Sequence, residues 1–239
     1  MKNILITGCN GSIGQNLVKF YKKRGHNVIG IDLLPVDKKL LKAKSFFKCN
    51  LTSEKQLKKI SKKIKLRFKS IDILINSAGY IHNELLIDFK NSFVTHKNSN
   101  WNKTINLNLN SVFLSTKYFL DLILASNEKN KVIINFSSVN SQGILGQGAY
   151  SASKKAVEVL TKVWSKELSP FKIRVACVSP GYINLQSTME NTSKKNRSKI
   201  INEIPLKKFG DLKDLISSID FIIKNKYFNG KTLKIDGGL

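Results

Sequence analysis

The run Lys2-Asn3-Ile4-Leu5-Ile6-Thr7-Gly8-Cys9-Asn10-Gly11-Ser12-Ile13-Gly14 decides the fold. Its first half is a short apolar segment of the kind that a buried parallel strand needs. Glycines then turn the chain, and Ile13, Leu17, Val18 and Tyr21 follow on one side of an amphipathic stretch. Strand, glycine-rich turn and helix in that order make an anion cradle. Glycine turns the backbone tightly and lets a pyrophosphate approach with no Cβ in the way. The helix end adds N–H groups and the positive end of its dipole. Gly8, Asn10, Gly11, Ser12, Ile13 and Gly14 are the candidate phosphate-side residues. A second apolar run, Asn27-Val28-Ile29-Gly30-Ile31, ends at Asp32. A carboxylate there accepts hydrogen bonds from both hydroxyls of an adenosine ribose and repels a 2′-phosphate. Leu33, Leu34 and Pro35 follow it, with no flanking Arg or Lys, so NAD(H) is favoured and NADP(H) is the second choice.

Working outward, apolar runs keep alternating with helical patterns. Strands are expected near 2–7, 27–32, 44–49, 71–76, 131–137, 172–178 and 231–235. Helices are expected near 12–24, 53–67, 101–125, 149–168 and 211–224. This alternation predicts an α/β chain: a single Rossmann-type doubly wound domain over 1–239, with a seven-stranded parallel sheet and helices on both faces. No internal repeat or linker divides it. The polar stretch 184–204, with Ser187, Thr188, Asn191, Thr192 and Ser193, reads as a substrate lid carrying a short helix.

Tyr150-Ser151-Ala152-Ser153-Lys154 sets a phenol and an ammonium four residues apart, on one face of the helix expected there. A fixed positive charge nearby favours the phenolate and is expected to pull the tyrosine pKa toward the working range. Ser138 lies twelve positions upstream, at the end of the strand expected over 131–137. A hydroxyl at that strand end, facing the Tyr–Lys pair, makes a site for a carbonyl oxygen.

These motifs, in this order, resemble the short-chain dehydrogenase/reductase family over essentially the whole chain. Thr7-Gly8 to Gly14 resembles its cofactor turn. Asn50-Leu51 falls where the family has an acidic residue beside the adenine. Asn76-Ser77-Ala78-Gly79 resembles the motif after the fourth strand. Asn108 matches the family's active-site asparagine, and Ser138, Tyr150 and Lys154 match the rest of its tetrad. Pro180-Gly181-Tyr182-Ile183 resembles the motif on the nicotinamide side, and the run from Ile204 to Gly210 and the terminal Asp236-Gly237-Gly238 match its late motifs. The resemblance implies Asn108, Ser138, Tyr150 and Lys154 as catalytic residues. For the cofactor it implies Asn50, Leu51, Asn76, Ala78, Gly79, Tyr150, Lys154, Pro180, Gly181 and Ile183 besides the glycine turn and Asp32. It also implies that Asn108 opens its helix and holds a water leading to Lys154, and that a homotetramer or homodimer forms through the helices near 101–125 and 149–168.

Three departures qualify it. Ser12 takes the place of the middle glycine, and its hydroxyl is expected to cap the helix or meet a phosphate. Asn50 replaces an acid. The stretch 80–101 is long for the family and borders the cleft, where it bears on substrate preference.

At 239 residues the chain supports one independent core, and no apolar run approaches the ~20 residues of a membrane span. The first strand is expected from residue 2, and no signal peptide and a cytoplasmic location are expected. Cys9, Cys49 and Cys177 are scattered and read as reduced thiols, and no metal site is expected. The net charge of +25 comes mostly from lysines spread over helix faces, a solvated surface that also suits an acidic partner; nucleic-acid binding ranks below the enzyme reading. Lys194, Lys195, Arg197 and Lys199 gather near the expected substrate entrance. His26, His82 and His96 read as surface residues, with His82 also a candidate substrate contact, and Trp101 and Trp164 read as packing residues.

The function expected is NAD(P)(H)-dependent interconversion of a ketone and a secondary alcohol, most like that of a 3-oxoacyl-thioester reductase on a carrier-bound or small-molecule substrate. The alternatives are an NAD-dependent dehydrogenase of a sugar or small hydroxy acid in surface-polysaccharide synthesis and a non-catalytic nucleotide-sensing regulator.

Overall fold

The computed structural model describes residues 1–35, 37–89, 93–185 and 193–239. Its main sheet has seven parallel strands. They are β1 (Asn3–Thr7), β2 (Asn27–Asp32), β3 (Phe46–Lys48), β4 (Ile73–Asn76), β7 (Lys131–Phe136), β8 (Ile173–Pro180) and β9 (Thr232–Ile235), in the order β3-β2-β1-β4-β7-β8-β9. Two short strands, β5 (Ile87–Asp88) and β6 (Val94–Thr95), pair antiparallel outside that sheet. The order reverses between β1 and β4, and the crevice at their carboxyl ends is where ligands bind in open sheets of this kind.

Side chains alternate across each strand, so neighbouring residues of β1 enter different cores. Ile4 and Ile6 face one core, closed by Leu17, Val18 and Tyr21 of α1 (Ser12–Lys23) and by Leu215, Ile219 and Ile222 of the helix Leu212–Lys224. Leu5 faces the other, closed by Leu57, Ile60 and Ile64 of α2 (Glu54–Phe68) and by Phe119, Leu122 and Ile123 of α4 (Ser111–Leu124). Helices therefore cover both faces, and the strands read as unbroken apolar runs for that reason. On α2 the lysines at 58, 59, 62 and 63 lie outside this buried stripe, exposed to solvent.

Two elements differ from the sequence expectation. The helix expected over 101–125 is α3 (Asn98–Ile105) and α4, joined by a π-helical turn at Asn106–Asn110. The stretch 80–101 carries the β5–β6 hairpin. Its two-residue strands are too short to leave an alternating pattern in the sequence. Of the expected lid, Ser187, Thr188, Asn191 and Thr192 lie outside the described residues. Ser193 caps the helix Lys194–Glu203 by accepting from the Asn196 amide.

Candidate active site

The cradle follows directly from β1. Gly8 has φ +68°, and a Cβ there would fall 2.7 Å from the Cα of Ala78. At Gly14 a Cβ would fall 2.1 Å from the Gly8 carbonyl oxygen, so both positions exclude any side chain. Gly11 is different: a Cβ would meet only the Gly8 oxygen, at 3.3 Å, so the outer side of the turn is open backbone. The first intrahelical bond of α1 runs from the Gln15 amide to the Gly11 carbonyl, and no acidic residue sits in the first turn. Amides ahead of that bond, at the positive end of the helix, fit a pyrophosphate. Ser12 is the exposed first residue of α1, and the cap position is Gly11; the capping role expected of the serine is thereby corrected.

Asp32 closes the cradle from β2. Its Oδ2 accepts from the Asn10 amide at 2.9 Å and its Oδ1 from the Leu34 amide at 3.2 Å. Asn50 turns its Oδ1 to the Thr52 amide and hydroxyl, at 3.0 and 2.8 Å. Leu51 is buried in the core beneath it. Asn76 is buried too, but its Nδ2 donates inward to Asn135, 2.9 Å, and Thr116, 3.2 Å. Of the same motif, Ala78 lies against Gly8, and Gly79 lies beside Asn108 and Lys154. Gly181 donates its amide to Ile235, and a Cβ there would lie 2.6 Å from the Cα of Asp236, so it locks Pro180 against the terminal Asp-Gly-Gly. Ile183 is buried and bridges to Gly210.

The four tetrad positions come together from three segments. Tyr150 and Lys154 lie one turn apart on α5 (Gly148–Glu167), both buried. The Lys154 ammonium donates to the Phe136 carbonyl, 3.0 Å, and sits 5.7 Å from the Tyr150 ring centre. Asn108 lies inside the π-helical turn and is fully buried. Its Nδ2 donates to the Tyr80 carbonyl, 2.7 Å, and to the Thr104 carbonyl, 3.0 Å, and its Oδ1 accepts from the Tyr80 amide, 2.9 Å. A methyl added at Gly79 would come 3.2 Å from Asn108 Oδ1 and 3.4 Å from Lys154 Nζ, so the glycine, the amide and the amine share one corner. Ser138 accepts from the Asn140 amide at 3.2 Å, and its hydroxyl acts on the Tyr150 phenol from nearby. Ser137, the neighbouring candidate, instead points its hydroxyl to Glu158, 2.7 Å.

The electrostatics correct one expectation. Burial raises the Tyr150 pKa above its ordinary value, and the Ser138 hydroxyl is the group that opposes the rise. Lys154 is not among the groups that lower it here, and the same burial pushes its own ammonium down to about 8. Two buried groups, each penalised in its charged form, leave a neutral phenol able to donate a proton. The thiols of Cys9 and Cys177 are pushed up to about 12, and that of Cys49 to about 11, all by burial.

The reading of His82 and His96 as separate surface residues is also corrected: both converge on Glu84. His82 Nε2 lies 3.1 Å from Glu84 Oε2, and His96 Nδ1 lies 3.2 Å from the Glu84 carbonyl oxygen. The carboxylate also accepts from Asn100, 2.9 Å, and the Lys97 amide, 3.2 Å; the Asn100 bond is the largest cause holding its pKa at about 2. The Glu84 amide donates to the Gly146 carbonyl, 2.7 Å, four residues before Tyr150. Trp101, half exposed, meets His96 edge-on instead of filling a core. A cavity of about 520 Å³ lies between this hub and the loop before α5, walled by Leu85, Val94, Lys97 and Leu145. Sequence reasoning passed over Glu84; the one available signal was an acid two residues from a histidine in a chain with only 16 acids.

The family described as enoyl-(acyl carrier protein) reductase matches residues 8–239. The 3-oxoacyl-[acyl-carrier-protein] reductase FabG of Thermotoga maritima is 32% identical, with 100% of this chain and 97% of that protein covered. The 2-dehydro-3-deoxy-D-gluconate 5-dehydrogenase of Dickeya dadantii is 28% identical over 99% of this chain and 94% of that protein. The ligand-free aldohexose dehydrogenase of Thermoplasma acidophilum superposes with a TM-score of 0.85 at 24% identity, covering 100% of this chain and 93% of that one, and so shares the fold. With a nearly full-length family match, these relatives and a seven-stranded parallel sheet of this order, the chain belongs to the short-chain dehydrogenase/reductase family and is an NAD(P)-dependent oxidoreductase acting on CH–OH groups.

Proposed function

We propose that this chain, a single domain over 1–239, reduces the ketone of a 3-oxoacyl thioester, with NADH preferred over NADPH. The observation that carries the reading is the corner at which Ser138, Tyr150, Lys154 and Gly79 meet beside an amide cradle. Gly8, Asn10, Gly11, Ser12, Ile13 and Gly14 hold the pyrophosphate, Asp32 the adenosine ribose, and Asn50 and Leu51 the adenine side. Asn76 shapes the wall that Ala78 and Gly79 present to the cofactor, and Pro180, Gly181 and Ile183 flank the nicotinamide. When bound, the cofactor supplies the hydride. Tyr150 gives its proton to the substrate oxygen. Ser138 hydrogen-bonds that oxygen as its charge grows, and Lys154 donates to the nicotinamide ribose. Asn108, with its side chain spent on Tyr80 and Thr104, holds the π-helical turn open for a water between its carbonyl and Lys154. The stretch 184–204 acts as the substrate lid. The apolar Phe113, Leu124, Val159 and Val163 remain exposed on α4 and α5 and supply the face through which a homodimer or homotetramer forms. No helix among the described residues is long and apolar enough to cross a membrane, in keeping with a cytoplasmic enzyme.

The charge of +25 suits an acidic carrier, and the Thermotoga relative is named for a carrier-bound substrate. Asp32 and the Dickeya relative favour a second reading, oxidation of a sugar or small hydroxy acid with NAD. The test is turnover of an acetoacetyl thioester with NADH and with NADPH, beside a panel of sugar acids and hydroxy acids with NAD. The expected result is thioester reduction with the higher kcat/KM under NADH. Turnover confined to the sugar or hydroxy-acid panel would transfer the assignment to the second reading.

A further inference from the structure

Glu158 lies eight residues beyond Tyr150 and four beyond Lys154, so it shares their face of α5. Its side chain is only 16% exposed. Oε1 accepts from two hydroxyls that come from outside the helix, Ser137 at 2.7 Å and Ser141 at 2.9 Å, and Oε2 accepts from Lys155 at 2.8 Å. Burial works to raise its pKa, but these bonds outweigh it and hold the carboxyl below the usual range, so it is ionised at neutral pH. Ser137 and Ser141 bracket Ser138. Between them the chain makes the tight turn Val139–Gln142, closed by the Ser141 amide on the Ser138 carbonyl, 2.9 Å. A second tie, Asn140 Nδ2 to Gln147 Oε1 at 2.9 Å, fixes the far side of that turn to the start of α5. The serine and the tyrosine come from different segments, which these ties join beside two more to Lys154, one from the Ser137 hydroxyl to its carbonyl, 3.2 Å, and one from its ammonium to the Phe136 carbonyl, 3.0 Å.

Resting on the proposed roles of Ser138 and Tyr150, we propose that Glu158 is a positioning residue: by gripping Ser137 and Ser141 it sets the distance between the Ser138 hydroxyl and the Tyr150 phenol. Its carboxylate acts through Ser137 and Ser141 and not on the reacting atoms. A displacement of ~1 Å at such a pair can cost ~100-fold in rate.

The test uses the full chain with an acetoacetyl thioester and NADH. Glu158→Gln keeps an acceptor for both serines and is expected to hold kcat within about threefold, whereas Glu158→Leu lowers kcat at least about tenfold with KM and NADH affinity unchanged. Glu158→Leu combined with Ser137→Ala and Ser141→Ala removes the two hydroxyls that lose the carboxylate, of which Ser137 keeps the Lys154 carbonyl as an acceptor. That triple variant is expected to recover thermal stability and not kcat, and it carries the test if the single variant fails to fold. Recovery of kcat together with stability would overturn the proposal, because the carboxylate would then only satisfy buried hydroxyls. Full kcat in Glu158→Leu would overturn it as well. Tyr150→Phe runs alongside. If it abolishes turnover while Glu158→Leu does not, only the positioning role falls; if it leaves turnover intact, the reading of the site falls.

Discussion

Lys154 is the residue whose environment makes the sharpest statement about pH. Burial sets its pKa at about 8 against an ordinary 10.5, so the unfolded chain holds the extra proton between those values. The sign follows: this group makes stability rise with pH across that window, its burial penalty being fully present below about 8. Its donor role needs the proton, so kcat/KM for reduction is expected to fall as pH rises through about 8. Lys154→Arg keeps the charge at every accessible pH; the falling limb near that value should disappear from its profile, at reduced activity. A limb that stays in place in the arginine variant would assign it to another group. Asp32 carries a second prediction. Asp32→Ser removes the charge facing a 2′-phosphate, so the ratio of kcat/KM for NADH over NADPH should drop by at least about tenfold, the scale of one charged hydrogen bond. An unchanged ratio would remove Asp32 from cofactor choice. The places of both were legible in the sequence, Asp32 because it ends an apolar run and Lys154 because it follows Tyr150 by one helical turn. The direction of the Tyr150 shift was not legible: the Tyr–Lys spacing gives the shared face but not the burial that raises the phenol.

The 80–101 stretch, long for the family on the sequence reading, gathers polar contacts on Glu84. Replacing Glu84 with Ala removes acceptors from Asn100, the Lys97 amide and His82 at once, and leaves untouched the backbone bond to Gly146. Looser walls on the 520 Å³ cavity should raise KM for the carbonyl substrate several-fold, with NADH affinity unchanged. Parallel losses in NADH binding would show that Glu84 acts on the whole fold. The sequence exposed this stretch as long but not as a hairpin, because two strands of two residues carry no period. The π-helical turn escaped the pattern as well. Its five residues, Asn106–Asn110, fall within an otherwise helical stretch, and only the family resemblance of Asn108 marked it.

For the whole molecule, the doubly wound topology was readable from residues 2–32 together with the alternation that follows, since strands buried on both faces must be apolar throughout. The parallel pairing follows from the helices that cross between strands and cover each face, while the order of the strands was not legible in the sequence. Phe119 is fully buried in the core under α2 and α4, and Phe119→Ala should cost about 3–5 kcal/mol in chemical denaturation. A loss below about 1 kcal/mol would mean that this core repacks. The lysine-rich surface makes a salt prediction. Any binding of duplex DNA at low ionic strength should fade by ~200 mM salt, since diffuse charge carries no site. Binding that persists would mark a specific surface.

The central claim is that the fold draws a phenol and an amine of one helix, and an alcohol from another segment, to the mouth of a dinucleotide cradle. Its most direct test is Tyr150→Phe, assayed for acetoacetyl thioester reduction and titrated with NADH by fluorescence. The expected result is turnover reduced by at least about a thousandfold with NADH affinity within twofold of the parent, as for loss of the group that moves the proton. Turnover at the parent rate would contradict the assignment of Tyr150 and the site built around it.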